Sequence, residues 1–309
     1  MTTLVFTHPD CLAHDTGPGH PERPDRLRAV WQALDEERFR HVERREAPMA
    51  TPEQLKAVHD HEYVDLVLES FPTQGWLRLD SDTVLSPTSR PGVLRAAGSV
   101  CAAVDAVLAG EADNAFCAVR PCGHHAEQAR PMGFCVFNNI AVGAAHARDR
   151  HGLERVAVVD FDVHHGNGTQ AMFWDRPELW FASTHQYPLY PGTGAAGERG
   201  RYGNIVNVPL PPGTDGEIFR EAFAAKVLPA LEAFRPDLVM VSAGFDAHRS
   251  DPLASLNFEA EDFAWATTEL VRAAGRLCGG RLVSALEGGY DLAALRDCTA
   301  AHLAALLDG

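Results

Sequence analysis

Hydrophobic positions along this chain follow two periods. Leu27, Val30, Trp31 and Leu34 fall at i, i+3, i+4 and i+7, as do Val64, Val67, Leu68 and Phe71, so each set predicts an amphipathic helix. Phe219, Phe223, Val227, Leu231 and Phe234 mark a third helical face, and Phe263, Ala266, Leu270, Ala274 and Leu277 a fourth. Between these lie short apolar runs that read as strands: Leu4–Thr7, Ala115–Val119, Val156–Asp160, Leu179–Thr184, Ile205–Leu210, Leu238–Ser242 and Leu282–Leu286. Helical and strand-like segments in alternation predict a parallel sheet with helices on both faces.

Functional groups in such sheets gather beyond the carboxyl ends of the strands. Here those ends read AVRPCGHHAE, VVDFDVHHGNG, FASTHQYPLYPGTG, MVSAGFDAHRSDPL and SALEGGYD. The Pro- and Gly-rich stretch from Tyr187 to Gly203 separates two strand runs, and irregular segments of that length inside a compact domain are usually functional. No internal repeat or low-complexity linker interrupts the chain, so residues 1–309 are expected to form one domain.

Composition narrows the function classes. A hydrophobic share of 46% argues for a folded globular chain. A formal charge of −15 disfavours nucleic acid as a partner and is compatible with a basic substrate. The seven cysteines form no CxxC pair and sit mostly in apolar contexts, which predicts reduced core thiols. No apolar run approaches the roughly 20 residues of a bilayer span, and the N-terminal residues lack a signal-peptide pattern. The expectation is a cytoplasmic protein with no membrane partner; self-association is left open.

The strand Val156–Asp160 runs into DFDVHHGNG, with no Lys or Arg between Val156 and Phe173 to neutralise its carboxylates. Alternation along an extended strand would put Asp160, Asp162 and His164 on one face. Buried acids need a partner, and a metal cation is the simplest one for this Asp/His set, with Asp246 the best third ligand. Two Asp and one His leave a fourth position open, the layout of a catalytic zinc site. His124 and His125 can divide proton transfer and electrostatic work, with Asp160 and Asn167 as suitable partners, one charged and one neutral. Glu287–Gly288–Gly289–Tyr290 presents a phenol that can stabilise an oxyanion.

With these residues assembled, the chain resembles the zinc-dependent histone deacetylase family, in particular its class II and bacterial deacetylase-like members. The resemblance rests on RPCGHHAEQARPMGFCVFNN, VVDFDVHHGNGTQAMF, PLYPGTG, VSAGFDAHRSDPL and LEGGYDL, with HPERPDRL and LDSDTVLSP in support. It implies the arginase/deacetylase fold, a three-layer α/β/α domain with a mainly parallel eight-stranded sheet. It also implies one catalytic zinc ion held by Asp162, His164 and Asp246. His125 would be general base and acid, partnered by Asn167; His124, paired with Asp160, would act electrostatically; Tyr290 would hold the oxyanion. By the same resemblance Gly133, Phe134 and Tyr190 line a narrow tunnel, Arg26 lies near an inner cavity, and Asp160, Ser183 and Thr184 belong to a structural potassium site. Thr88 is a candidate backbone-amide acceptor at the rim.

The implied reaction is hydrolysis of an acyl-lysine amide by metal-activated water. Asn167 is the class II choice, and Tyr290 is the residue of active deacetylases. Leu253, seven residues beyond Asp246, stands where polyamine deacetylases of this family carry Glu, which favours an acetylated lysine side chain over a small acetylated amine. Glu22 and Asp25 keep the acetylpolyamine alternative open unless they merely cap the helix near Pro24. An arginase-like two-manganese site lacks its DxHxD pattern here. A non-catalytic acyl-lysine-binding module would be expected to have lost a ligand or the Tyr, and all are present.

Overall fold

The computed structural model describes residues 1–309. Its strands are β1 (Thr3–Thr7), β2 (Glu43–Glu46), β3 (Leu77–Arg78), β4 (Val84–Leu85), β5 (Asn114–Cys117), β6 (Val156–Asp160), β7 (Leu179–Gln186), β8 (Ile205–Leu210), β9 (Leu238–Ala243) and β10 (Leu282–Leu286). Eight of them form one sheet in the order β2-β1-β5-β10-β9-β6-β7-β8, parallel throughout, while β3 and β4 make a small antiparallel pair. The helices are α1 (Asp10–Ala13), α2 (Pro24–Leu34), α3 (Pro52–Lys56), α4 (His61–Glu69), α5 (Ser89–Leu108), α6 (Asn139–His151), α7 (Asn167–Phe173), α8 (Gly216–Ala222), α9 (Leu228–Phe234), α10 (Ala260–Cys278) and α11 (Leu292–Asp308).

The order of strands places the site. β5 and β6 follow one another in the chain but are separated in the sheet by β10 and β9. The register pairs Asp160 at the end of β6 with Ser183 of β7 on one side and Ser242 of β9 on the other. The loops leaving β5, β6, β9 and β10 therefore emerge side by side at one edge, where connections diverge and a crevice opens. α5 and α6 cover one face of the sheet, and α10, α11 and α2 pack together on the other.

Several elements differ from the periodicity. β2 reads ERRE, has no apolar residue, and pairs only at the sheet edge, where charged side chains also protect the edge from foreign strands. α5 is apolar nearly all round because it is a core helix: its mean hydropathy of 1.4 and its length would suit a membrane span, yet 72% of that window is buried inside the protein. The face running from Phe219 to Phe234 is not one regular helix. A π-turn over Phe223–Val227 joins α8 to α9. Pro229 cannot donate to the carbonyl four residues back, and the wider turn keeps side chains spaced by four on one face. All seven cysteines are buried and free, and Cys122 Sγ lies 3.3 Å from Cys135 Sγ.

Three buried histidines away from the crevice make stability depend on pH. His302 bridges Thr267 Oγ1 (2.7 Å) and Ser284 Oγ (2.9 Å), and burial pushes its pKa down to about 3. Burial, with Arg120 adding to it, lowers His14 to about 3, and burial lowers His59 to about 4. Each stays neutral in the fold while its unfolded counterpart takes a proton below about pH 6.5. The unfolded state then binds more protons, so stability falls as pH drops from about 6.5 toward 4, by up to about 1.4 kcal/mol per pH unit for each residue. Urea midpoints at pH 7.5, 6.5 and 5.5 test this. His302→Asn should be less stable at neutral pH but lose stability less steeply on acidification; an unchanged slope would contradict it.

Candidate active site

The segment after β6 does not continue as a strand. β6 stops at Asp160, and the next residues fold as successive turns. Asp160 Oδ1 accepts the Asp162 N–H (3.0 Å) and Asp162 Oδ1 accepts the His164 N–H (2.9 Å). The spacing Asp-x-Asp-x-His thus works through Asx-type turns, each carboxylate holding the amide two residues on. The expected common strand face is replaced by this coil, which still turns Asp162 and His164 toward the end of β9. There Asp246 Oδ1 accepts the Val163 N–H (2.8 Å) and Asp246 Oδ2 lies 3.0 Å from His164 Nδ1, itself 3.2 Å from Asp162 Oδ1.

The donor atoms of Asp162, His164 and Asp246 all lie within 4.8 Å of one another, and all three residues are buried. No Lys or Arg is in ion-pair contact with either carboxylate. Burial and then Asp162 push the Asp246 pKa up; burial opposes charge on His164, but the hydrogen bonds that both carboxylates accept from it outweigh burial and lift it to about 10. The backbone fits closely round them: a Cβ on Gly288 would stand 2.1 Å from Asp246 Oδ2. Gly288 N–H instead donates to Asp162 Oδ2 at 2.8 Å. Two buried carboxylates and an imidazole converging on one point fit a divalent cation such as zinc.

The adjacent histidines have opposite surroundings. His124 Nδ1 meets Asp160 Oδ2 at 2.9 Å. Burial opposes charge on His124, but Asp160 and Asp162 outweigh it and raise the pKa well above the ordinary imidazole value. His125 Nδ1 meets Asn167 Oδ1 at 2.8 Å, and burial together with the positive His124 and His164 lowers its pKa well below that value. Glu127 fixes the orientation of the amide: Asn167 Nδ2 donates to Glu127 Oε1 at 2.8 Å, so Oδ1 must face His125. The His125 ring proton then sits on Nδ1, and Nε2 keeps a free lone pair.

Above these groups a cavity of about 220 Å³ is walled by Phe134, Leu189, Tyr190 and Leu253, with His125, His164 and Tyr290 below and Asp82 at its side. Tyr190 stands edge-on to His125, their ring centroids 5.2 Å apart, and Phe134 edge-on to Tyr290 at 5.8 Å. Gly133 (φ 58°) and Phe134 (φ 69°) both adopt the left-handed region, and a Cβ on Gly133 would strike His125 at 2.3 Å. Arg26 is fully buried behind this wall, donating to the Gly289 and Glu287 carbonyls, with its guanidinium 4.8 Å from the Tyr290 ring centroid. It anchors the turn that carries Tyr290.

Three candidates fall elsewhere. Thr88 does not line the cavity; its hydroxyl donates to the Ala13 carbonyl. Glu22 does not cap α2 but is buried against Arg120 in a two-point ion pair (2.7 and 2.6 Å), and Asp25 pairs with Arg28 on the surface. Beside Asp160, Ser183 Oγ meets His185 Nδ1 at 2.9 Å and Thr184 Oγ1 is buried without a partner.

Sequence reasoning missed Asp82, Glu127, Glu287 and Asp251 as site residues. Asp82 Oδ1 accepts the Gly133 N–H at 3.1 Å, which places a carboxylate where Thr88 was expected. Glu287 Oε2 accepts the Gly123 and His124 amides (2.7 and 3.1 Å). Asp251 accepts the amides of Tyr290 (2.7 Å) and Leu253 (3.0 Å). Each lies inside a quoted motif, but the roles depend on contacts that residue type does not reveal: Asp82, Glu287 and Asp251 hold backbone amides, and Glu127 holds the Asn167 side-chain amide.

Comparison with known proteins agrees with this architecture. Residues 20–306 match the family described as histone deacetylase domain. A histone deacetylase-like amidohydrolase of Pseudomonas aeruginosa is 41% identical over 96% of this chain and 83% of its own. Histone deacetylase 14, chloroplastic, of Arabidopsis thaliana is 38% identical over 98% and 76% respectively. The crystal structure of the HDA15 HD domain superposes with a TM-score of 0.93 at 37% identity, covering 100% of this chain and 89% of that one. The chain is thus a member of the histone deacetylase family, zinc-dependent hydrolases of amide bonds.

Proposed function

We propose that this enzyme removes acetyl groups from lysine side chains of proteins or peptides. The observation that carries the reading is the cavity: Phe134, Leu189, Tyr190 and Leu253 make a narrow apolar passage leading to His125, His164 and Tyr290. Such a passage suits an alkyl chain that presents an amide at its end. Leu253 offers no charge to pair with a second ammonium, and Glu22 and Asp25 are both engaged with arginines. Both facts favour lysine over a polyamine. Asp82 holds the Gly133 N–H with one oxygen at the side of the cavity, where a carboxylate would serve a peptide N–H or an amine alike.

Asp162, His164 and Asp246 would hold zinc, which when bound supplies Lewis-acid polarisation of the amide carbonyl and a more acidic water. Neutral His125 accepts the proton of the attacking water at Nε2 and returns it to the departing amine nitrogen. Tyr290 donates its hydroxyl to the carbonyl oxygen as negative charge develops there. His124, held cationic by Asp160, adds a fixed positive charge beside the reacting carbonyl. A monovalent cation beside Asp160, Ser183 and Thr184 is the companion proposal, supported by the buried unpartnered Thr184 hydroxyl.

Acetate release from an acetyl-lysine peptide and from N-acetylputrescine, with zinc-loaded protein, tests the substrate. The peptide should turn over faster, and Asp246→Ala should abolish release from both. Leu253→Glu should move the ratio of kcat/KM toward the amine by about tenfold. Faster turnover of the amine by the unmodified chain would overturn the lysine reading. Asn167→Asp probes His125: a carboxylate there raises the imidazole pKa, and the base must be neutral to act. The acid limb of the kcat/KM profile should therefore move to higher pH by about one unit; an unmoved limb would remove His125 from that role.

A further inference from the structure

Outside the crevice, one more set of ligand atoms converges. α5 and α6 touch closely at Gly143, where a Cβ would stand 2.3 Å from Val100 Cγ1. The next turn of α6 and of α5 then brings His146 opposite Asp105. His146 Nε2 lies 2.8 Å from Asp105 Oδ1, and His151 Nε2, on the last residue of α6, lies 2.6 Å from the same oxygen. The three ligand atoms are all within 4.8 Å of one another, and the two rings stand edge-to-face at 5.7 Å.

We propose that Asp105, His146 and His151 form a second divalent metal site, taking zinc or a similar transition ion through two imidazole nitrogens and one carboxylate oxygen. The donor set is wrong for magnesium or calcium, which require mainly oxygen ligands, and right for the borderline ions that prefer imidazole. A tetrahedral ion with bonds of about 2.0–2.1 Å sets its ligands roughly 3.3 Å apart. The carboxylate must therefore back away by well under about 1 Å. Asp105 can do so, because its side chain is 52% exposed, whereas His146 and His151 are held at 12% and 27%. On binding, each ring proton moves to Nδ1 and frees Nε2 for the ion. Water completes the coordination from the open side. The carboxyl end of α6, with its negative dipole pole and His151 in the final turn, adds to the attraction. The ion would tie the end of α6 to α5.

The full chain, loaded with one equivalent of zinc and freed of excess, should be titrated with Zn2+ by calorimetry and with Co2+ by visible absorption. One further equivalent should bind, and added zinc should raise the thermal midpoint. His151→Ala should weaken that binding at least tenfold, and His146→Ala with His151→Ala should abolish both the binding and the rise. Asp105→Asn, which keeps the side-chain shape, should also weaken it. Unchanged acetate release by these variants would show that they fold. Absence of a second equivalent, or its persistence in the double variant, would reduce the cluster to a hydrogen-bonded clip and overturn the site.

Discussion

Two carboxylates, Asp162 and Asp246, are buried within reach of each other at the ends of adjacent strands, and much of the surrounding structure answers to that constraint. An unpaired buried carboxylate costs several kcal/mol or shifts its pKa until it is neutral. Here each receives a backbone amide, from Gly288 and Val163, and both face His164 Nδ1. A cation at their meeting point turns a costly arrangement into a binding site. The topology makes the approach unavoidable, because β6 and β9 are paired neighbours and their loops leave the sheet together. Burial then excludes water, so the same charges act more strongly on whatever enters the cavity.

The paired histidines gain different chemistry from partners that differ only in charge. Asp160 and Asp162 raise the His124 pKa against its burial, and the His125 pKa is lowered by burial and by charge on His124. Asn167 can accept a hydrogen bond from His125 without stabilising a positive charge as strongly as a carboxylate would. Glu127 stops the Asn167 amide from turning over. The hydrogen bonding and proton affinity of His125 therefore depend on a chain of four side chains. Exchanging any one of them changes the protonation of the others.

The central strands were legible because parallel strands buried on both faces read as unbroken apolar runs, and the catalytic groups because they cluster at strand ends. β2 was not legible: ERRE carries no apolar signal, and its place depends on pairing with β1. α5 was also hidden, since a helix buried nearly all round has no polar face to set a period. Within the site, Asp162, His164 and Asp246 converge as the residue types suggest, but not by sharing a strand face, because the backbone coils after Asp160. Thr88 and Asp82 could not be told apart as rim residues from residue type alone. Which one reaches the cavity is decided by the turn that delivers Asp82 to the Gly133 amide.

The same limit applies to Asp251, whose carboxylate binds three amides from two segments. One oxygen holds Leu253 at the wall of the cavity, and the other holds Tyr290 and Asp291 at its floor. Leu253 and Tyr290, which both line the cavity, thus share one anchor. Arg26 fixes the Tyr290 turn from behind, through the carbonyls of Gly289 and Glu287. With the turn held on both sides, a change of side chain at Leu253 can reshape the cavity wall without moving the phenol. A change that displaces the Leu253 backbone would act on both together, so the two positions are independent only while Asp251 keeps its amides.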